Sequence, residues 1–410
     1  MKSIQLDKSI PRYVLSKAIG KVFTPVYWSP LAMLRYRETA EPALPGPQWV
    51  RINTRYGGIC GSDMNAVMLN DSPALTALVS FPFTLGHENV GIIAEVGSAV
   101  EGYTPGDRVV VDPVLPCITR NISPVCEYCA QGDYALCQNF AEGDLSPGLS
   151  IGHCRETGGS WSQHFVAHQS QLFHLPDQVS DENGVMTDAF CTTLHPVLAH
   201  FPNDWDQVLI LGSGVVGLCT LIALRILNSQ AWVSVVAKYP YQAELADRYG
   251  ADEVILLKEK DLYKTITDRN GGKVYQPALG KPFPVGGADI VFDCVGSAKS
   301  LDDSLRLARS AGKVILIGLA SIPGGVDWTP IWLNELSIHG SYWSSTEMID
   351  GKPIRTYQLT LDWMAEGRLD LSEMVTHRFP LKDFRSAFKT TSERGKNHVV
   401  KSVFEFNPPS

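Results

Sequence analysis

Residues 207–217, QVLILGSGVVG, decide the fold of this chain. The apolar stretch QVLIL has the length and composition of a buried strand, and the helical run 216–227 includes the last glycine and continues beyond it. In the pattern G-x-G-x-x-G, Gly212 permits a tight turn, Gly214 lets a pyrophosphate approach the backbone, and Gly217 lets the helix pack on the strand. Strand, turn and helix predict a dinucleotide site, with a purely structural turn as the alternative. The residues assigned to this turn are Gly212, Ser213, Gly214, Val215, Val216 and Gly217.

Strand-like and helical segments alternate after this turn. Strand-like stretches occupy residues 231–237, 288–293 and 313–318, and a helical stretch occupies residues 242–249. Such alternation is typical of a doubly wound parallel sheet. The sequence therefore predicts an α/β domain over residues 190–342, in which Val295 and Gly318 are also assigned to the cofactor site.

The end of the second strand of this domain determines the choice between NAD and NADP. An NAD site places an acidic residue there to hold the ribose 2′-hydroxyl group. This chain has Ala237, Lys238 and Tyr239 instead. The missing carboxylate removes a repulsion toward a 2′-phosphate, and Lys238 could pair with that phosphate. The sequence predicts NADP(H) in preference to NAD(H), with a solvated surface lysine as the alternative role of Lys238.

Composition and charge exclude several classes of protein. The chain has 410 residues, 44% of them hydrophobic and 19% charged, and a net charge of −8. These values are typical of a globular protein of two or three domains. No basic block could follow a nucleic-acid backbone, and the longest apolar run, residues 215–224, is too short to span a membrane. Charged residues near the N-terminus leave no room for a signal-peptide core. We expect a soluble, cytoplasmic protein without a nucleic-acid or membrane partner.

The first half of the chain has a different character from the α/β domain. Residues 48–53 (QWVRIN), 90–96 (VGIIAEV) and 107–111 (DRVVV) look like short strands between glycine and proline turns. This pattern predicts an all-β domain with loops up to about residue 189. The tail contains an amphipathic stretch near residues 357–367 and a last strand at residues 399–406, and the tail could rejoin the first domain.

Two groups of residues have the chemistry of metal ligands. Four of the nine cysteines, Cys117, Cys126, Cys129 and Cys137, lie in one short stretch, which favours a metal site in a reducing compartment over disulfides. Cys60 and His87 lie in separate glycine-containing turns, GICGSD and LGHE. A catalytic zinc needs about three protein ligands and one open position. Spacing alone does not join Cys60 to His87, and each could instead be a buried core residue.

The order of these motifs resembles that of the zinc-containing medium-chain alcohol dehydrogenases. GICGSD, TLGHENVG, a cysteine-rich lobe and the glycine fingerprint follow one another as in that family, and the similarity extends over nearly the whole chain. The resemblance implies that Cys60 and His87 bind the catalytic zinc. It also implies a third ligand just before the cofactor domain, which its place relative to His195 assigns to Asp188. Cys191 is a competitor for this position.

The resemblance implies further roles around the catalytic metal. Ser62 would hydrogen-bond the substrate oxygen and pass on its proton, and Asp63 would orient the imidazole of His87. Glu88 would lie behind the metal or enter its coordination shell. Ser62 and Asp63 could also be ordinary turn residues. Many family members have a histidine at the position of Asn65 as the end of a proton relay, which an amide cannot provide.

The resemblance implies a structural zinc site and one more cofactor contact. Cys126, Cys129 and Cys137 match the last three ligands of the family's structural zinc lobe. The usual first cysteine is replaced by Ser123, so Cys117 is the expected fourth ligand, with an empty or three-thiol lobe as the alternative. Lys401 resembles the basic residue that family members place on the cofactor pyrophosphate, although a solvated lysine is the competing interpretation.

Together these observations predict a GroES-like β domain over residues 1–189 and 343–410 and a Rossmann domain over residues 190–342. The expected activity is hydride transfer between NADP(H) and an alcohol or carbonyl substrate, catalysed with zinc. Alternatives are a reductase of activated C=C bonds on the same scaffold and a catalytically silent NADPH-binding protein. The family analogy implies a homodimer or homotetramer.

Overall fold

The computed structural model describes residues 1–319 and 321–406, and the chain divides into two compact units. One unit comprises Met1–Asp188 together with the chain from Ser344 onward, and the other comprises Ala189–Trp343. These divisions fall beside the domain limits that the sequence predicts. Within the described ranges, no helix is both long enough and apolar enough to cross a lipid bilayer.

The strands, in chain order, are β1 (Lys2–Leu6), β2 (Leu34–Glu38), β3 (Trp49–Ile59), β4 (Phe83–Thr84), β5 (Asn89–Val96), β6 (Arg108–Val111), β7 (His164–His168), β8 (Leu172–His174), β9 (Gln207–Leu211), β10 (Trp232–Ala237), β11 (Glu253–Leu256), β12 (Lys273–Tyr275), β13 (Phe283–Val285), β14 (Ala288–Asp293), β15 (Ala308–Leu316), β16 (Ser337–Gly340), β17 (Thr346–Ile349), β18 (Lys352–Arg355), β19 (Val375–Pro380) and β20 (Lys401–Glu405). The α-helices are α1 (Ile10–Gly20), α2 (Gly61–Val67), α3 (Glu127–Gln131), α4 (Asp181–Ala199), α5 (Val215–Ile226), α6 (Pro240–Arg248), α7 (Leu262–Arg269), α8 (Ala298–Leu307), α9 (Thr329–Leu333), α10 (Thr356–Ala365), α11 (Phe384–Ser392) and α12 (Arg394–Asn397).

The second unit is built on a six-stranded parallel sheet in the order β11-β10-β9-β14-β15-β16. Counted from β9, this is the order 3-2-1-4-5-6 of a Rossmann sheet. Strand β9 lies inside this sheet between β10 and β14, and its residues from Val208 to Leu211 are all buried. The predicted strands 207–211 and 288–293 coincide with β9 and β14, and the doubly wound α/β fold is confirmed.

The first unit contains a seven-stranded sheet in the order β19-β20-β3-β5-β6-β8, with β7 paired to β3. The tail returns to this unit, since β20 pairs with β3 in antiparallel register, Ser402 opposite Ile59. Strand β3 also pairs with β5, which brings Gly57 opposite Asn89. The long strand β3 is therefore the element around which the candidate site is arranged.

The expectation of an all-β first domain is wrong in detail, because α1, α2 and α3 lie within it. Helix α2 begins at Gly61, where the sequence predicts only a turn. The Asp63 carboxylate accepts a hydrogen bond from the backbone N–H of Cys60 (3.0 Å) and so caps this helix at its start. A helix of seven residues shows too little of the 3.6-residue repeat to be recognised from its pattern.

Candidate active site and metal centres

The end of β3 and the start of β5 bring the two turn motifs together. The backbone N–H of Gly58 donates to the carbonyl oxygen of Glu88 at 3.0 Å. A Cβ atom on Gly58 would lie only 2.0 Å from Glu88 Oε2, so only glycine fits beside this carboxylate. Trp161 closes the other side, and its indole N–H donates to the Gly58 carbonyl oxygen at 2.8 Å. The glycine of GICG is therefore required by the packing around Glu88.

Asp63 connects the two motifs through its two carboxylate oxygens. Oδ2 accepts from the backbone N–H of Cys60, and Oδ1 lies 3.2 Å from Nδ1 of His87. Burial would lower the pKa of His87, but the carboxylate of Asp63 and the neighbouring Cys60 outweigh it and raise that pKa well above its ordinary value. Because Nδ1 of His87 lies beside the Asp63 carboxylate, Nε2 is the nitrogen better placed to bind a metal. The orienting role that the resemblance implies for Asp63 stays a prediction, and the distance of 3.2 Å agrees with it.

Cys60, His87 and Glu88 form a compact set of possible metal ligands. One ligand atom from each lies within 4.8 Å of the other two. The Glu88 side chain is almost fully buried, and its Oε2 atom has no hydrogen-bond partner among residues 1–319 and 321–406. Burying a carboxylate oxygen without a hydrogen-bond partner destabilises the folded protein unless a cation binds that oxygen. A thiolate, an imidazole and a carboxylate in one cluster, with His87 and Glu88 buried and Cys60 half-buried, fit a zinc ion.

Lys401 on β20 holds the other oxygen of Glu88. Its ammonium group forms a buried ion pair with Glu88 Oε1, and its side chain is only 3% exposed. Burial raises the pKa of Glu88, although the charge of Lys401 opposes this effect. The alternative of a solvated lysine is therefore wrong. The pyrophosphate role of Lys401 stays a prediction, because the contact seen here is with Glu88.

Asp188 approaches the same imidazole from α4. Its Oδ2 atom lies 4.0 Å from Nε2 of His87, while Oδ1 accepts a hydrogen bond from the Tyr357 hydroxyl group at 2.6 Å. The structure thus brings Asp188 to His87 but leaves it outside the compact three-residue set. The competitor Cys191 is buried in the second unit and belongs to no metal-ligand group among the described residues.

Two neighbours of the site carry no recognisable signal in the sequence. Tyr357 is only 1% exposed and is distant from Asp188 along the chain. The sequence around it shows only an amphipathic pattern. The ring of His153 stacks on that of His87 with centroids 6.3 Å apart. Burial lowers the pKa of His153 to about 4, so it lies against the imidazole as a neutral ring. Ser62 is half-buried on α2 and Asn65 lies one turn further along the same helix.

The four clustered cysteines come together in a second group. Their sulfur atoms all lie within 4.8 Å of one another, and Cys117 Sγ is 3.6 Å from Cys137 Sγ. Tetrahedral zinc with Zn–S bonds of about 2.3 Å would hold sulfur atoms about 3.8 Å apart, so the spacing fits this metal. Asn139 donates its side-chain amide to Cys117 Sγ and its backbone N–H to Cys137 Sγ. The Cys129 thiol and this backbone N–H lower the pKa of Cys137 to about 5, which favours a thiolate.

The glycine turn of the second unit has the geometry that a dinucleotide needs. Gly212 has a φ of +97°, and Gly217 packs so closely that a Cβ atom would lie 1.7 Å from the Gly212 carbonyl oxygen. Gly214 is the N-cap of α5, and a Cβ atom there would meet nothing within 4 Å. The space in front of the helix N-terminus is therefore open to a phosphate group. The residues of this turn fit a dinucleotide cofactor.

The remaining cofactor candidates lie at the ends of neighbouring strands. Ala237 ends β10, and Lys238 is exposed, with its Nζ atom 5.4 Å from the centre of the Tyr239 ring. After β14, the Asp293 carboxylate accepts hydrogen bonds from the N–H groups of Val295 and Gly296. A Cβ atom on Gly318 would lie 2.3 Å from the Gly296 nitrogen, so these two turns are in close contact.

Comparison with known proteins identifies the family. The family model "Alcohol dehydrogenase GroES-like domain" matches residues 46–177, and the model "Zinc-binding dehydrogenase" matches residues 215–366. The chain is 32% identical over 363 residues to L-idonate 5-dehydrogenase of Vitis vinifera, covering 88% of each chain. It is 30% identical to sorbitol dehydrogenase of Arabidopsis thaliana, covering 88% of this chain and 89% of that one.

A solved structure supports the fold. The structure of 2R,3R-butanediol dehydrogenase from Bacillus subtilis superimposes with a TM-score of 0.71 over 99% of both chains at 23% identity. Together with the glycine turn and the two ligand clusters, these similarities show that the chain belongs to the zinc-containing medium-chain dehydrogenase superfamily, the alcohol dehydrogenase-like oxidoreductases.

Proposed function

We propose that this oxidoreductase transfers a hydride between NADP(H) and an alcohol or its carbonyl counterpart, with secondary alcohols of polyols as the leading substrate class. The observation that carries the proposal is the compact set of Cys60, His87 and Glu88, with Asp188 beside it. The relatives named for sorbitol and L-idonate support a polyhydroxylated substrate. Substrate oxygens of this kind suit a site rich in polar groups.

The proposed metal ligands are Cys60 and His87 with one carboxylate. The resemblance assigns the carboxylate to Asp188, whereas the geometry favours Glu88, because one of its carboxylate oxygens lies within 4.8 Å of the other two ligand atoms. Its Oε2 atom also has no hydrogen-bond partner among residues 1–319 and 321–406. When bound, zinc polarises a substrate oxygen as a Lewis acid and the nicotinamide ring exchanges the hydride. Lys401 balances the charge of Glu88 in the buried site, and Asp63 fixes the imidazole of His87.

Proton transfer would begin at Ser62. Its hydroxyl group can both accept and donate a hydrogen bond, so it can receive the proton of an alcohol and pass it on. Asn65, three residues further along α2, cannot continue this relay because an amide does not take up a proton at neutral pH. The route of the proton beyond Ser62 would therefore bypass Asn65.

We also propose that Cys117, Cys126, Cys129 and Cys137 bind a structural zinc ion. Replacing Cys117 with serine should lower the zinc content by about one ion per chain and lower the melting temperature, since a hydroxyl group is a poor zinc ligand. Zinc analysis and thermal unfolding measure both effects. Cys154→Ser is the matched control, because Cys154 is buried nearby but outside the cluster. An unchanged zinc content in the Cys117 variant would refute the fourth-ligand assignment.

The NADP preference rests on Lys238 and on the absence of an acid at Ala237. We expect Lys238→Ala to raise the KM for NADPH about tenfold with little change in kcat, because a charge-assisted contact contributes about 1.5–3 kcal/mol when well formed and less when exposed. The KM for NADH should stay the same. Lys258→Ala is the control, since Lys258 is an exposed lysine of the same unit. Equal affinity of the wild-type protein for NADH and NADPH would contradict the proposal.

The activity itself is tested with a panel of polyols, simple secondary alcohols and their carbonyl counterparts, with NADP and NAD as cofactors. Oxidation of secondary alcohols, lost on removal of zinc, is the expected result. Reduction of the alkene of an unsaturated aldehyde, with no reaction at its carbonyl group, would favour the C=C reductase. Cofactor binding without turnover over the whole panel would favour the catalytically silent protein.

A further inference from the structure

Helix α1 turns an apolar face toward solvent. Ile10, Val14 and Leu15 are exposed, Ile10 by 73% and Val14 by 59% of its surface. Ser16, on the opposite side, is completely buried. Because residues four apart share a helix face, Ile10, Val14 and Ala18 form an apolar stripe that no described residue covers.

Further apolar residues lie at both ends of this helix. Val22 is 91% exposed just beyond its last turn, and Phe23 follows it. Leu31 lies near the first turn, since Arg12 donates hydrogen bonds to the carbonyl oxygens of Pro30 and Ala32. On an ordinary protein surface, exposed apolar side chains are scattered singly. Several large ones lie together around this short helix.

The same region is strongly basic. Residues 8–37 contain six basic residues and no acidic one, in a chain whose net charge is −8. Arg35 and Arg37 pair with Asp7, but Arg12 and Lys17 donate only to neutral oxygen atoms. Among the residues that the structure describes, the side chains of Lys8 and Lys21 have no carboxylate partner. We call the whole surface the N-terminal patch: Ile10, Val14, Leu15, Val22, Phe23 and Leu31 with Lys8, Arg12, Lys17 and Lys21.

We propose that the N-terminal patch docks the protein on an anionic phospholipid surface. A short helix with exposed apolar side chains and flanking lysines and arginines matches both components of such a surface, the acyl boundary and the negative head groups. A symmetric contact between two copies of the chain would place this unbalanced positive charge against itself, which disfavours a second copy as the occupant. The inference is independent of the proposed catalytic function, and it replaces the sequence-based expectation that the protein has no membrane partner.

The test is flotation of the purified protein with lipid vesicles. The protein should bind vesicles of phosphatidylcholine mixed with phosphatidylserine, and bind phosphatidylcholine vesicles much more weakly. The double variant V14S/L15S should reduce binding about tenfold or more, because it removes apolar area without changing charge. K8Q/K21Q should reduce binding and its dependence on salt. Matched controls are L279S and K258Q/K389Q, which alter exposed residues elsewhere.

Dehydrogenase activity and sedimentation of each variant show that the fold is intact, since none of these residues belongs to the proposed active site. Absence of binding to the anionic vesicles would overturn the proposal. So would equal binding to both kinds of vesicle, or equal losses in the control variants. A lower oligomeric mass for V14S/L15S would also overturn it, because a second copy of the chain would then cover the patch.

Discussion

Replacing Cys60 with serine should remove the catalytic zinc and lower kcat about a thousandfold. Polarisation of the substrate oxygen by a metal contributes several kcal/mol, and each 1.4 kcal/mol corresponds to a factor of ten in rate. Cys60 is one of the three residues of the compact ligand set, and a serine hydroxyl group at neutral pH is a poor substitute for its thiolate. Cofactor affinity should change little, because the glycine turn lies in the other unit.

Zinc content and steady-state kinetics measure this effect together. The variant should lose about one zinc ion per chain and keep the ion of the cysteine lobe. Cys191→Ala is the control, because Cys191 is buried and stands close in sequence to the third ligand position. A Cys60 variant that retains its full zinc content and activity would rule out this residue as a ligand.

The second prediction with a large effect tests which carboxylate, that of Glu88 or that of Asp188, binds the catalytic zinc. Glu88→Gln should lower the affinity for the catalytic zinc by about tenfold to a hundredfold or more, and Asp188→Asn should lower it less. The reason is that one carboxylate oxygen of Glu88 lies within 4.8 Å of the ligand atoms of Cys60 and His87, and its buried Oε2 atom has no described hydrogen-bond partner. One oxygen of Asp188, in contrast, is held by Tyr357. Metal titration of the apoprotein, with kcat in parallel, measures the difference.

This comparison needs a control for the buried ion pair. Glu88→Gln leaves the ammonium group of Lys401 buried without its counter-charge, which could destabilise the protein by itself. The double variant Glu88→Gln/Lys401→Met removes both charges, so a zinc affinity that stays low in this variant reports on the ligand alone. A greater loss of zinc in Asp188→Asn than in either Glu88 variant would restore the ligand set implied by the family resemblance.

The features predictable from the sequence are those in which neighbouring residues carry the signal. Strand β9, the turn from Gly212 to Gly217 and the start of α5 follow one another along the chain, and each glycine has a local steric reason. The four cysteines lie within one short stretch, so a loop that places Cys117 beside the other three is enough to form the cluster. In these places local geometry and tertiary structure agree.

The contacts that escape prediction join residues far apart in sequence. Lys401 reaches Glu88 across 313 positions, and Tyr357 reaches Asp188 across 169. Both contacts depend on the return of the tail to the first unit, where β20 pairs with β3. No composition or periodicity of the separate segments shows which side chain will meet which carboxylate. The family resemblance and the place relative to His195 assign the third ligand to Asp188, whereas the proposal of Glu88 rests on this three-dimensional packing.

The proposed mechanism requires that the chain hold two zinc ions, one for catalysis and one for structure. The most direct test is the zinc content per chain of protein purified without added metal. We expect about two ions per chain in the wild-type protein, and about one in Cys60→Ser and in Cys117→Ser separately. A folded wild-type protein with close to no zinc would contradict the Lewis-acid mechanism. Reduction of activated C=C bonds would then be the better-supported activity.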